Sequence, residues 1–363
     1  MSKSIDETEG QDGAVNAAMA LLARQSRGLT QQELAEHLGV TQAALSRLEA
    51  GLRPPSRALL ERLACVLDYP VEFFFQRNEI YGFDTSILFH RKRQSVPVRT
   101  LDKIHANINI LRINVARMLD GVEIENVNFP RVDLADFDGQ VEDVARAVRA
   151  QWHLPRGPVM NLTAAIEEAR GIVILYDFTT TLIDAMSGWV PRTPPLFFVR
   201  GNVPGDRLRF SLCHELGHVI LHSGDLRPDM EKEADRFAAE FLMPEREIRP
   251  YLLNVSLQKL AELKPYWKVS MAALLKRAQD LGTITARHAR SLWMRMSGAG
   301  YKTREPLEVD IPPEVPTFYD EIVDIYRRDF SYTPSELGHL FKLHEHEVRR
   351  LYYASSATLR LVN

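Results

Sequence analysis

From Ala14 onward, apolar residues recur at three- and four-residue spacing, with Val15, Ala18, Met19 and Leu22 on one helical face, whereas residues 1–13 are polar, acidic and without a period. The first stretch reads as a tail and the second as a helix. Short helices are predicted next. Thr30 and Glu33 make a capping-box pattern that opens a helix over Gln31 to Leu38, and Gly39 ends it. Thr41 can cap a following helix over Gln42 to Ala50, stopped by Gly51 and Pro54-Pro55. A fourth helix runs from about Ser56 to Leu67, and Phe73-Phe74-Phe75 offers aromatic mass to close a small bundle. From about Phe137 the pattern becomes helix, helix, strand: Val141 to Trp152, Leu162 to Ala169, then Gly171 to Phe178, with another strand at Pro195 to Arg200. Arg207 to His222 and Glu231 to Leu242 read as helices, the second stopped by Pro244.

These patterns predict a multidomain, predominantly α protein with one small α+β domain. The expected divisions are a flexible tail at 1–13, a helical bundle at 14–78, a basic helical connector at 79–135, an α+β domain at 136–250 and a helical C-terminal region at 251–363. The connector is basic because Arg91, Lys92, Arg93, Arg99, Lys103, Arg112 and Arg117 face only Asp102 between residues 90 and 117. Such a stretch reads as a solvated helix face, or as extra phosphate or dimer contact.

Composition narrows the function. The 363 residues are 45% hydrophobic and 26% charged, which permits two or three cored domains, and the net charge of −3 excludes a histone-like polycation. Nucleic-acid contact, if present, is therefore local. Two cysteines, Cys65 and Cys213, sit far apart in helical patterns, as expected in a reducing compartment. No apolar run reaches the roughly 20 residues that span a bilayer, and the expectation is a soluble cytoplasmic protein without membrane contact.

The helices at 31–38 and 42–50, joined through Gly39-Val40-Thr41, have the length and turn chemistry of a helix-turn-helix. Leu34, Ala35, Leu38, Val40, Leu45 and Leu48 would hold their angle, leaving Gln42, Ala43, Ser46 and Arg47 outward. Amide and guanidinium groups there suit base edges, and Gln31 with the amides of its helix N-terminus can meet a phosphate. The stretch from Arg27 to Gly51, with Arg53-Pro-Pro-Ser56 after it, resembles the XRE family of phage-repressor-like DNA-binding domains. The resemblance implies that Gln31 contacts the DNA backbone and that Thr41, Gln42, Ala43, Ser46 and Arg47 line the groove-facing surface. It implies a double-stranded operator, and a single short reading helix points to a homodimer on an inverted repeat.

Cys213-His214-Glu215-Leu216-Gly217-His218 places H-E-x-x-H inside a helical pattern. Two imidazoles at i and i+4 share a face and can hold one Zn²⁺, while the glutamate between them reaches a bound water. Thirteen residues after His218, Glu231-Lys-Glu-Ala-Asp235 offers a third carboxylate ligand, and Asp235 can accept the free N–H of a ligating histidine. The segments Arg209–His222 and Glu231–Pro244 look like the ImmA/IrrE family of zinc metallopeptidases. That resemblance implies a zincin-like domain in which His214 and His218 are ligands, Glu215 is the general base and Glu231 the third ligand. Glu233 competes, and Glu231 is preferred for its Glu-x-x-x-Asp spacing to Asp235. His222 and Tyr176 are candidate oxyanion helpers, each better suited to a structural role. Cys213 reads as an inert packed thiol, and the strand Leu196 to Val199 as an edge that a substrate strand extends.

Residues 333–351 repeat the spacing of residues 30–48, aligning Thr30, Glu33, Leu34, Leu38 and Leu48 with Thr333, Glu336, Leu337, Phe341 and Leu351. A second helix-turn-helix-like pair is expected, but His344, Glu345, His346 and Glu347 on its outer side favour packing or protein contact over phosphate. The combined expectation is a transcription regulator carrying a zinc endopeptidase that cleaves a repressor or antitoxin-like partner. The alternative is a regulator whose metal domain senses a ligand or partner without proteolysis.

Overall fold

The computed structural model describes residues 14–81, 96–122, 124–191, 193–222, 227–301 and 303–353. The expected tail at 1–13 and the basic residues Arg91, Lys92 and Arg93 lie outside them. The main helices are α1 (Ala17–Ser26), α2 (Gln31–Leu38), α3 (Gln42–Glu49), α4 (Arg57–Leu67), α5 (Val98–Leu119), α6 (Val141–Gln151) and α7 (Leu162–Glu168). Strands β1 (Ile172–Leu175), β2 (Ala185–Gly188) and β3 (Leu196–Val199) follow, then α8 (Gly205–Leu221), α9 (Met230–Leu242), α10 (Glu245–Ile248), α11 (Leu257–Trp267), α12 (Met271–Asp280) and α13 (Ala286–Gly298). After them come α14 (Phe318–Asp324), α15 (Pro334–Phe341) and α16 (Glu345–Val348). Among the described residues no helix is long and apolar enough to cross a membrane.

Contacts divide the chain into two units, one of Met1–Gly82, Pro97–Gly121 and Val323–Asn363, the other of Phe83–Val96 and Val122–Ile322. In the first unit the capping box forms in full, with Thr30 and Glu33 each accepting the other's backbone N–H. Gly39 closes α2 at φ 62°, a left-handed conformation that glycine adopts without Cβ strain. Leu34, Leu38, Leu45 and Leu48 are buried with Met19, Leu22, Leu63 and Phe73, so the apolar stripes of α1 to α4 form one core.

Within the expected connector, helix α5 is not a solvated face. Helix α5 packs on α1, and Leu101, Ile104, Ile108, Val115 and Met118 are buried along it. Three of its cations bond to partners within the unit. Arg99 donates to the Gly28 carbonyl and pairs with Glu33 at 3.0 Å, Arg112 donates to the Glu79 carbonyl, and Arg117 donates to Gln76 and Asn78. A helix apolar on several sides is buried rather than linking, which is why the contact boundary differs from the one expected at 79–135.

The C-terminal echo is real in local geometry. Thr333 and Glu336 make a second capping box, and Lys342 closes α15 at φ 56° as Gly39 closes α2. Of its outer residues, Glu347 turns inward to the same unit, while Glu345 and His346 stay exposed. Glu347 is 5% exposed and pairs with Arg27 at 2.7 Å, His346 Nε2 lies 2.9 Å from Asp68, and Asn114 donates to the Tyr352 hydroxyl at 3.1 Å. These contacts pack the pair against its own unit.

The second unit is built on a sheet of order β1-β3-β2, with β1 parallel to β3 (Ile172 beside Leu196) and β2 antiparallel (Ala185 beside Val199). All of Leu196, Phe197, Phe198 and Val199 are buried. The strand expected to be an edge is therefore the centre, paired on both sides, and β2 is the edge that lies against α8. Helices α11 to α13 share the apolar core of this unit, since Leu260, Trp267, Leu274 and Leu292 join the cluster containing Val144, Leu216 and Phe237. The core does not end at residue 250, because these helices bury their leucines against it.

The Pro-rich stretch after Glu305 is a strap across the start of α8. Glu305 accepts the N–H groups of Met271 and Ala272, both at 3.1 Å, and pairs with buried Lys264 at 2.7 Å. The Ile311 carbonyl accepts the Gly205 N–H at 3.0 Å, and Glu314 pairs with buried Arg209. A Cβ at Gly205 would overlap the carbonyls of Ile311 and Pro312, so this crossing requires glycine.

Candidate metal centre

Helix α8 carries His214 and His218 one turn apart, and their rings meet edge to face with centroids 4.7 Å apart. The two Nε2 atoms face each other at 3.0 Å. Glu231 on α9 completes the convergence, with its carboxylate 3.1 Å from His218 Nε2 and 3.6 Å from His214 Nε2. What lets α9 come so close is Gly217, where a Cβ would stand 3.2 Å from the Ala234 Cα. The three ligand-type atoms lie within 4.8 Å of one another, and the side chains of His214 and Glu231 are 17% and 22% exposed, so the cluster has an open side.

This donor set suits a divalent cation. Two imidazole lone pairs cannot face each other at 3.0 Å unless a proton or a cation lies between them, and a carboxylate beside them favours positive charge. Although burial opposes it, Asp235 and Glu231 hold His214 protonated up to about 10. Glu231 is in turn held well below the usual carboxylate range by the two histidines, against the effect of burial. His214 Nδ1 lies 2.8 Å from Asp235, as expected for an orienting carboxylate.

The choice between the two glutamates has a geometric answer. Glu233 does not approach the Nε2 pair; its carboxylate meets His222 Nε2 at 2.9 Å and Arg227 at 3.1 Å. His222 has a fully buried side chain and lies behind His218, so it is not aimed at a substrate carbonyl. Burial, then His218 and Arg227, push it down to about 3. Tyr176 meets Phe178 and Phe198 edge to face just after β1, the edge of the sheet away from β2. His222 thus meets the cluster only from behind His218, on the Nδ1 side of that ring.

Glu215 is 6% exposed, and its Oε2 accepts the Ser187 hydroxyl at 2.7 Å. Sequence reasoning missed Ser187, because Ala185-Met-Ser-Gly188 has no strand-forming pattern and becomes a strand only by pairing with β3. Cys213 is fully buried, and burial pushes its thiol up despite the neighbouring charges of Arg209 and Arg149. The inert packed thiol expected from the sequence therefore rests on burial, with two arginines nearby.

In the first unit, Thr41, Gln42, Ala43, Ser46 and Arg47 are all exposed on and just before α3, and the Thr41 hydroxyl caps the helix at Ala44 N–H. Gln31 is half-buried, and its amide donates to Glu49 at 2.8 Å, a carboxylate that also accepts the Arg24 fork at 2.6 and 3.0 Å. Its side chain is thus oriented from within the bundle.

Residues 22–74 match a family model described as helix-turn-helix, and residues 167–279 match a peptidase-family model described as IrrE N-terminal-like domain. The second match runs past residue 250, through α11 and into α12, as the shared core does. No curated protein matches the sequence. The chain joins an XRE-type helix-turn-helix domain to a metallopeptidase-like domain of the IrrE N-terminal type.

Proposed function

We propose that this DNA-binding regulator carries a zinc-dependent endopeptidase that cleaves a protein partner such as a repressor or antitoxin, and that it acts in the cytoplasm as a homodimer on its operator. The observation that carries the reading is the convergence of His214, His218 and Glu231, with Glu215 on the intervening turn of α8. His214, His218 and Glu231 would hold the zinc, which when bound supplies Lewis acidity toward a carbonyl and acidifies water. Glu215, with one oxygen held by Ser187, uses the other to take a proton from the attacking water and hand it to the leaving amine. Asp235 keeps the proton of His214 on Nδ1, leaving Nε2 as the donor atom. β2, unpaired on its outer side among the described residues, offers N–H and C=O groups to an extended substrate segment. The test is a proteome comparison of cells carrying the wild type or Glu215→Gln. A protein cut only by the wild type supports the peptidase; identical proteomes under every inducing condition reject it in favour of ligand sensing.

Metal binding has a pH signature. A ligating imidazole must be neutral, whereas His214 in the metal-free protein is protonated up to about 10. Zinc titrated at pH 8 is therefore expected to expel about one proton, and affinity to fall as pH is lowered. Calorimetry in buffers of different ionisation enthalpy measures this, and heats independent of buffer would contradict it. For the metal-free fold the sign is opposite: the His214 contribution is complete below about 6.5 and is lost as pH rises through about 10.

DNA binding is expected to weaken steeply with salt, and Arg47→Ala to relax base choice at one position by about 1–3 kcal/mol. Gln31→Ala should lower affinity for all sequences alike. Selection from random duplexes checks both, with an enriched inverted repeat as the expected result and no enriched motif as the contrary one.

A further inference from the structure

We propose that Glu233, His222 and Arg227 form a positioning relay that sets the tautomer of His218, so that the second metal ligand is oriented through an intervening imidazole where the first is oriented directly by Asp235. The inference rests on the metal-site reading above and deepens it.

Histidines 214, 218 and 222 succeed one another at four-residue spacing on α8 and its C-cap, with consecutive ring centroids 4.7 and 4.9 Å apart. An imidazole that ligates through Nε2 must carry its proton on Nδ1, and that N–H needs an acceptor. For His214 the acceptor is Asp235, at 2.8 Å. For His218 the atom in reach is His222 Nδ1, also at 2.8 Å. A ring nitrogen accepts only where it carries no proton, so His222 must hold its own proton on Nε2. There it meets Glu233 Oε2 at 2.9 Å, an oxygen that also accepts from Arg227.

The direction of every bond in the chain follows. Glu233 accepts from His222 Nε2–H, His222 Nδ1 accepts from His218 Nδ1–H, and the lone pair of His218 Nε2 is left available to a cation that His214 and Glu231 would share. The opposite tautomer of His222 would set two N–H groups head to head and aim a lone pair at a carboxylate. Solvent offers no alternative, since the side chain of His222 is 0% exposed and that of His218 is 4% exposed. Arg227 holds Glu233 in place with its Nη2 at 3.1 Å from Oε2. The two glutamates of Glu231-Lys-Glu233 thus divide the work, one facing the Nε2 atoms and the other facing the back of the ring behind them.

The full-length protein tests this through zinc affinity measured by chelator competition, with the visible absorption of the cobalt form as a second readout. His222→Phe removes the acceptor and is expected to weaken zinc binding about 10–100-fold. His222→Asn places a carbonyl oxygen where Nδ1 stood and should restore most of the affinity. Glu233→Ala should weaken binding in the wild-type background but have no effect in the His222→Asn protein, where no ring tautomer remains to be set. A structural role alone would give neither the rescue nor this coupling. Wild-type affinity in His222→Phe overturns the relay while leaving the metal site intact, as does an equal effect of Glu233→Ala in both backgrounds. A wild-type protein that binds no zinc overturns both readings. Should His222→Phe fail to fold, the Asn variant and the Glu233 pair decide the matter.

Discussion

Glu215→Gln is expected to keep the metal and to lower cleavage of the partner protein by about 10²–10⁴-fold, the usual contribution of a general base. The carboxylate is not among the three groups that converge on the Nε2 atoms, so its loss removes no ligand. The amide has the same volume, and its oxygen can still accept the Ser187 hydroxyl that Glu215 accepts at 2.7 Å, so the turn between the histidines should keep its shape. What disappears is the ability to take a proton. Metal content by mass spectrometry and single-turnover cleavage of the partner, measured on the same preparation, separate the effects. Loss of metal would make Glu215 a ligand; full activity would remove it from the chemistry. Ser187→Ala, which frees the carboxylate without removing it, should cost far less.

Lys264→Met should be among the most destabilising single changes in the second unit. The Lys264 side chain is 1% exposed and lies 2.7 Å from both Asp206 and Glu305, whose side chains are 5% and 10% exposed. Despite burial, these two carboxylates hold its ammonium above the usual lysine value. Removing the cation leaves two buried carboxylates facing each other, and breaking such a site costs about 3–5 kcal/mol. For a unit of this size the loss lowers the melting temperature by roughly 10 °C. The effect should be larger than that of Lys232→Met, an exposed residue paired with Asp229. Thermal unfolding of both variants decides, and equal melting temperatures would show that the strap contributes nothing to the fold.

Much of the site was legible because it obeys helical periodicity. A four-residue step on one helix brings imidazoles to one face wherever that helix sits, and H-E-x-x-H therefore announces its geometry before any fold is known. The same holds for the helix-turn-helix, where Thr30, Gly39, Thr41 and Ser56 act through bonds to their own neighbours, and the predicted and observed helix boundaries differ by a residue at most. Ser187, the relay behind His218 and the use of Arg112 and Arg117 were not legible, because each depends on a partner distant in sequence or on the direction of a ring.

The sequence by itself determined the local elements, the two domain families and the residues able to bind a metal, since caps, turns and periodic faces are encoded within a few residues. Tertiary structure alone decided which strand is the edge, which glutamate faces the imidazoles and where each core ends. β3 is central because it pairs with both β1 and β2, and Glu231 rather than Glu233 faces the Nε2 atoms because Gly217 sets how α9 lies on α8. Those outcomes depend on long-range packing, in which one absent Cβ or one strand pairing changes what a side chain can reach, and no short window of sequence contains both partners.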